Sequence, residues 1–212
     1  MKIEIINTDP NHPINPYLKR LQSSLDPNHS VSILRSMDQV TNGELLFLVS
    51  CTDILDSSII SRFKKVMVLH ASDLPQGRGW SPHIWELLRG AESITVSLLD
   101  AAVAVDCGDI YRKITINIPK SALWIEINDL LFAAEIQLIE FAIENFDNLH
   151  GISQNSGIEA SYYPKRKPSD SEIDPNKSIS EQFDLIRVCD SERFPAFFYH
   201  RGQAYKIILE EL

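Results

Sequence analysis

Over its first hundred residues the chain alternates short apolar runs with stretches of helical periodicity, and this alternation restricts the fold more than any other feature. Strand–helix–strand units of this kind build an open, mainly parallel sheet with helices packed on its faces. Residues 3–6 read as the first strand, and Asn15-Pro16 supplies a cap and a first-turn proline for a helix over residues 17–25. Residues 31–34 give a weaker strand, while residues 45–49 are apolar throughout, as a strand covered on both faces requires. A helix over residues 54–63 follows, then a strand over residues 66–69 that ends at His70. Ser81-Pro82 repeats the cap-plus-proline signal for a helix through Trp85, Leu87 and Leu88, which Gly90 terminates. Residues 94–98 and 111–118 read as further strands, and the loop between them carries Asp106.

A long amphipathic helix is expected over residues 122–146, with Leu123, Ile127, Leu130, Ala134, Leu138 and Phe141 as its core stripe. Composition then shifts to Ser, Asn, Pro and charge over residues 151–175, a connection longer than compact domains usually carry and therefore functional or mobile. Ser178 and Glu181 form a capping box for a last helix through Phe183, Ile186 and Cys189. Residues 195–199 and 204–209 flank His200-Arg201-Gly202 as a β-hairpin, whose apolar strand suits either the core or a second copy of the chain, making a homodimer. The expected organisation is an α/β, Rossmann-like catalytic domain over residues 1–150 and a C-terminal extension of loop, helix and hairpin over residues 151–212.

Composition narrows the function. No stretch of about 20 apolar residues occurs, and the start lacks the basic and apolar segments of a secretory signal, which points to the cytoplasm and to no membrane partner. Cys51, Cys107 and Cys189 form no CxxC pair, and the six histidines include no HxxxH or HExxH spacing, so no metal is expected. A net charge of −9 argues against a nucleic-acid partner, because that affinity comes from cations displacing counterions from phosphates. The one basic cluster, Lys165-Arg166-Lys167, suits a diphosphate or a solvated loop equally.

His70 ends a strand, where open sheets of this kind bind ligands, and the glycine- and proline-rich segment after it looks like a shaped substrate loop. Periodicity alone does not pair His70 with any acid. The runs His70-Ala-Ser72-Asp-Leu-Pro75, Arg78-Gly79-Trp80-Ser81-Pro82, Ile94-Thr-Val96 and Asp106-Cys-Gly-Asp109, in that order, resemble the formyltetrahydrofolate-dependent formyltransferases over residues 45–113. The tail, with Arg166-Lys-Pro-Ser-Asp170, Leu185-Ile-Arg187 and Pro195-Ala-Phe-Phe-Tyr199, is similar to the sugar N-formyltransferase branch. Its compact form is closest in kind to enzymes acting on a UDP-linked 4-amino sugar of the pseudaminic acid type.

The resemblance implies a Rossmann-like formyltransferase fold, formyltetrahydrofolate as formyl donor, and a UDP- or dTDP-linked amino-deoxy sugar as acceptor. It makes His70 the general base that takes the amine's proton and Asp106 the group that orients the imidazole, the two meeting across a cleft open to solvent. Asp109 then braces its loop. Donor contacts fall on Ser50, Cys51 and Thr52 and on Ala102, Val103, Ala104 and Val105. Acceptor contacts fall on Ser72, Arg78, Gly79, Trp80, Ser81, Tyr162, Lys165 and Arg166, the cations for a diphosphate and the aromatic rings for sugar or uracil. One departure stands out: the family's asparagine two positions before the histidine is Val68 here, and losing an oxyanion donor costs about 10²–10³ in rate. Val68 leaves open a degenerate protein that binds folate or nucleotide sugar without turnover. A hydrolase releasing formate is a further alternative, and a methionyl-tRNA formyltransferase would add a C-terminal barrel and a basic surface that the sequence does not display.

Overall fold

The computed structural model describes every residue except Thr52, Ile54, Val103 and Ser156. Strands β1 (Lys2–Ile6), β2 (Ser30–Leu34), β3 (Gly43–Leu48) and β4 (Phe63–His70) lead to a two-residue strand β5 (Arg78–Gly79), then β6 (Ser93–Asp100) and β7 (Ile110–Asn117). A second two-residue strand, β8 (Tyr162–Tyr163), and the hairpin β9 (Ala196–His200) and β10 (Gln203–Ile207) complete the set. Helices are α1 (Asn15–Ser24), α2 (Ser57–Ile60), α3 (Pro82–Leu88), α4 (Trp124–Glu144) and α5 (Phe183–Arg187).

The six-stranded sheet runs β2-β1-β3-β4-β6-β7. Its first four strands are mutually parallel, giving the mainly parallel, Rossmann-like α/β sheet expected from the sequence. β6 pairs antiparallel with β4, and β7 pairs antiparallel with β6 across a loop with no crossover helix, so β7 again runs in the direction of the first four strands. The winding reverses between β1 and β3, where the chain has gone out to β2 and come back.

β3 explains how one strand serves both layers. Leu45, Phe47 and Val49 join the large core cluster with Leu18, Leu131 and Leu138, while Leu46 and Leu48 face a smaller cluster with Ile59, Phe63 and Val66. Alternate side chains of a strand leave on opposite faces, so an unbroken apolar run is what two covered faces require.

Several local expectations shift. The helix expected over residues 54–63 shrinks to α2, capped by the Asp56 side chain accepting from Ser58 N–H at 2.7 Å; Phe63 instead opens β4, and Ile54 lies outside the described residues. Ile14, not Asn15, caps α1; Asn15 is buried and donates to the carbonyls of Asp9 and Pro10 while accepting from Arg35. Ser81 precedes α3 but makes no capping hydrogen bond, having a left-handed φ of 46°, whereas Gly90 ends the helix at φ 87° as expected. On α4 the stripe is rotated: Leu130 is 37% exposed, and Leu131, Phe132 and Glu135 lie inside with Ile127, Ala134 and Leu138. Burial pushes the Glu135 carboxyl up to about 8, and its Oε2 has no partner among the described residues.

The C-terminal part follows its local signals in part: the capping box opens a 3-10 turn at Ser180–Gln182, and α5 follows without a side-chain cap and ends before Cys189. Ser178 and Glu181 form the reciprocal capping box, and Arg201 and Gly202 both take positive φ, as a two-residue hairpin turn demands. Ala196 is buried with Ile173, Ile186 and Cys189, while Tyr199 and Tyr205 near the hairpin tip remain exposed. Arg187 is buried and donates to Asp184 and to the carbonyls of Pro119 and Ala122, joining α5 to the entry of α4. Among the described residues no helix is long and apolar enough to cross a membrane.

Candidate active site

β4 delivers His70 to the carboxyl end of the sheet, one strand beyond the reversal of winding. Asp106 reaches it from the loop between β6 and β7: His70 Nδ1 lies 3.5 Å from Asp106 Oδ1. The side chains are only 8% and 7% exposed, so the pair is nearly closed off rather than standing in an open cleft. His70 Nε2 is 2.8 Å from the Gly77 carbonyl oxygen, to which it can only donate. A neutral ring donating there turns its Nδ1 lone pair toward Asp106; a ring protonated at both nitrogens donates to both partners.

The Asp-Cys-Gly-Asp turn is shaped by close backbone contacts. A Cβ on Gly108 would stand 1.9 Å from the Asp100 carbonyl oxygen, so only glycine fits where the turn presses on the end of β6. Asp106 itself adopts φ 55°, a left-handed conformation that costs a residue with a Cβ roughly 1–2 kcal/mol. Three bonds hold it there. Gly79 N–H donates to Oδ2 at 2.9 Å, and Gln154 Nε2 donates to the Asp106 and Gly108 carbonyl oxygens at 2.7 and 3.0 Å. Asp109 accepts from Ser153 Oγ at 2.9 Å and so ties the turn to the following loop.

Parallel pairing of β5 with β8 gathers the residues expected on the acceptor side. Arg78 donates to Tyr162 Oη and to Gln154 Oε1, and Gly79, at φ 94°, passes so near Tyr163 that a Cβ would lie 2.5 Å from its carbonyl oxygen. Trp80 and Tyr162 are exposed, and Lys165 Nζ sits 4.6 Å from the centre of the Trp80 ring. Ser81 is exposed and Ser72 buried, its Oγ without a partner among the described residues. Arg166 donates to the Asp170 carbonyl and Ser171 Oγ, which commits its outer nitrogen to bracing the turn at Pro168–Ser171. That is a structural duty the basic cluster did not disclose. His83, at the start of α3, stays neutral: burial, with His70 beside it, pushes its imidazole down to about 4.

The residues expected on the donor side lie at the small apolar cluster and the loops beside it. Cys51 and Val68, with Leu55 and Ala101, pack half-buried on the small apolar cluster, while Ser50 (φ 48°), Ala102, Ala104 and Val105 are exposed. Thr52 and Val103 lie outside the described residues. Two-residue spacing puts Val68 and His70 on one face of β4.

No family model matches the chain. Among solved structures, methionyl-tRNA formyltransferase from Clostridium thermocellum superposes with a TM-score of 0.78 at 24% identity, over 96% of this chain and 90% of that one. A 4-N formyltransferase from Francisella tularensis gives a TM-score of 0.76 at 16% identity, over 99% of this chain and 97% of that one. This is the formyltransferase fold. HypX from Aquifex aeolicus, solved with tetrahydrofolic acid, contains the same fold at a TM-score of 0.79 and 18% identity, and the chain spans 36% of its length.

Within this formyltransferase fold one concavity of ligand size is not lined by the expected residues. A cavity of about 530 Å³ opens between Asp73, Gln76 and Lys113 on one side and Ile152, Gln154 and Ile158 on the other, and its volume is that of a small-molecule site. Among the described residues neither His70 nor Asp106 lines it, but Gln76 precedes the Gly77 that meets His70, and Gln154 holds Asp106. Gln76 and Gln154 are thus the site residues that reading the sequence missed. Nothing in their local sequence distinguishes them, because their importance lies in contacts with distant residues.

Proposed function

We propose that the protein transfers a formyl group from formyltetrahydrofolate to the primary amine of a nucleotide-linked amino-deoxy sugar, UDP-linked or dTDP-linked. The observation that carries the reading is the approach of His70 Nδ1 to Asp106 Oδ1 at 3.5 Å at the carboxyl end of a central strand. The 4-N formyltransferase among the solved structures of the same fold supports it. So does the net charge of −9, which opposes a tRNA acceptor.

An amine attacking a formyl carbon must lose a proton, and the imidazole is the base in place to receive it. In this reading the amine displaces the Gly77 carbonyl, the neutral ring carries its proton on Nδ1 facing Asp106, and the free Nε2 takes the amine's proton as tetrahydrofolate leaves the formyl carbon; Asp106 stabilises the imidazolium that results. Val68 cannot stabilise the developing oxyanion; Ser72 Oγ, buried and free beside Gly77, is the donor we assign to that task. The wall of Cys51, Leu55, Val68 and Ala101, bordered by the small residues Ala102 and Ala104, fits the flat heterocycle of a folate, which when bound supplies the formyl carbon. The acceptor lies on the opposite side, toward Arg78, Gly79, Trp80, Ser81 and Tyr162, with Lys165 and Arg166 toward its phosphates. Residues 1–150 then carry the chemistry and part of the acceptor side, which residues 151–212 complete, and the exposed hairpin tip is where a second copy would pair.

Incubation with formyltetrahydrofolate, with and without a UDP-linked 4-amino sugar, tests this through the absorbance of released folate. Turnover that requires the sugar is expected. Turnover without it would make the protein a hydrolase, and binding without turnover would make Val68 the mark of a degenerate site.

A further inference from the structure

Asp106 is held in a left-handed backbone conformation by a side chain from a loop nearly fifty residues further along the chain. The Gln154 amide has two N–H donors, and the carbonyl oxygens of Asp106 and Gly108 take them at 2.7 and 3.0 Å. Its orientation is fixed by chemistry: Arg78 Nη2, which can only donate, meets Gln154 Oε1 at 2.6 Å, so the nitrogen must face the turn. Gln154 is anchored in turn by its neighbours. Ile152 exchanges both backbone hydrogen bonds with Ile110, at 2.8 and 2.9 Å, and Ser153 donates to Asp109. The loop at residues 152–154 therefore grips both sides of the Asp-Cys-Gly-Asp turn.

We propose that Gln154 is a positioning residue whose amide sets the backbone of Asp106 and thereby aims the carboxylate at His70. The proposal rests on the catalytic reading of the His70–Asp106 pair. With the amide gone, two carbonyl oxygens lose their donor and only the Gly79 N–H bond to Oδ2 remains of the three that hold the turn, so φ relaxes toward the ordinary region and the carboxylate turns away from the ring.

The test uses Gln154→Met, which keeps the side chain's length and bulk but removes every hydrogen bond. At fixed pH 7, the imidazole ¹⁵N resonances of His70 in labelled Gln154→Met should move at least about half as far as they do in Asp106→Asn, and in the same direction. Unchanged His70 resonances overturn the proposal whether or not the protein transfers formyl groups. In the transfer assay Gln154→Met should lower kcat about tenfold or more, with the KM for the formyl donor within about twofold. The same change made in Asp106→Asn should alter kcat by less than about twofold, since a residue that acts through Asp106 has nothing left to aim. A second tenfold loss in that background would show that Gln154 acts by another route and would overturn the proposal. Absence of any His70-dependent turnover in the wild-type protein would instead reject the catalytic reading, and the resonance comparison would still decide the role of Gln154.

Discussion

On one side of His70, Val68 packs with Cys51, Leu55 and Ala101 against a small apolar cluster; on the other, Arg78, Gln154 and Tyr162 link through hydrogen bonds to the turn that carries Asp106. The first wall is made by side chains that only need to be apolar and of suitable size. The second is made by groups that must each face a particular atom, so it tolerates much less change. An apolar wall can accept a flat ring in more than one pose, whereas a polar wall fixes distances. The apolar wall is thus permissive and the polar wall exacting.

The comparison is broken most directly at its centre. His70→Ala and Asp106→Ala should each lower turnover by at least about 10²-fold while thermal unfolding stays cooperative, and near-wild-type rates in either variant would remove the site from its assigned place.

A buried polar group outside the network should behave oppositely to those within it. Glu135 is such a group, held up to about 8 by burial. An acid whose folded pKa lies above its unfolded value binds more protons when folded, so it favours folding at low pH and loses that advantage as pH rises from about 4.5 through about 8. Glu135→Gln should therefore stabilise the protein at pH 8 by about 1–3 kcal/mol in urea unfolding, with the gain vanishing near pH 4.5. A gain of equal size at both pH values would contradict the cause given.

On the permissive wall, Val68→Asn should lower stability by about 1–2 kcal/mol, because the amide enters an apolar cluster. A rise in turnover despite that loss would identify oxyanion stabilisation as the weak step. The smallest effect is expected at the rim: Trp80→Ala should raise the acceptor KM severalfold and leave kcat within about twofold, as measured by initial rates. A fall in kcat alone would move Trp80 into the exacting wall.

These two walls also differ in how far the sequence discloses them. Strand periodicity alone places His70 at a strand end and gives β3 two covered faces, since both follow from the alternation of side chains along an extended chain. The pairing with Asp106 came from motif order, not from any physical signal in either residue. Gln154 and the two-residue strands β5 and β8 carry no periodicity, being too short to show one, and their roles come wholly from contacts across long separations. α4 illustrates a subtler limit: Leu130 and Leu131 are equally apolar, and only packing against the sheet decides which faces inward. Similarly, Ser81 has the chemistry of a cap but is denied the geometry by its left-handed backbone.

Strand β5 is joined to the chain that passes it at Ser161 to Tyr163, 84 positions further along. Closing a loop of that size carries an entropic cost that grows only slowly with length, yet it must be met before the contacts that close it are rewarded. All six strands of the main sheet are complete by Asn117, before this clasp can fasten. The main sheet thus needs nothing from residues 161–163, whereas the backbone of β5, which donates to Asp106, pairs among the described residues only with that distant clasp.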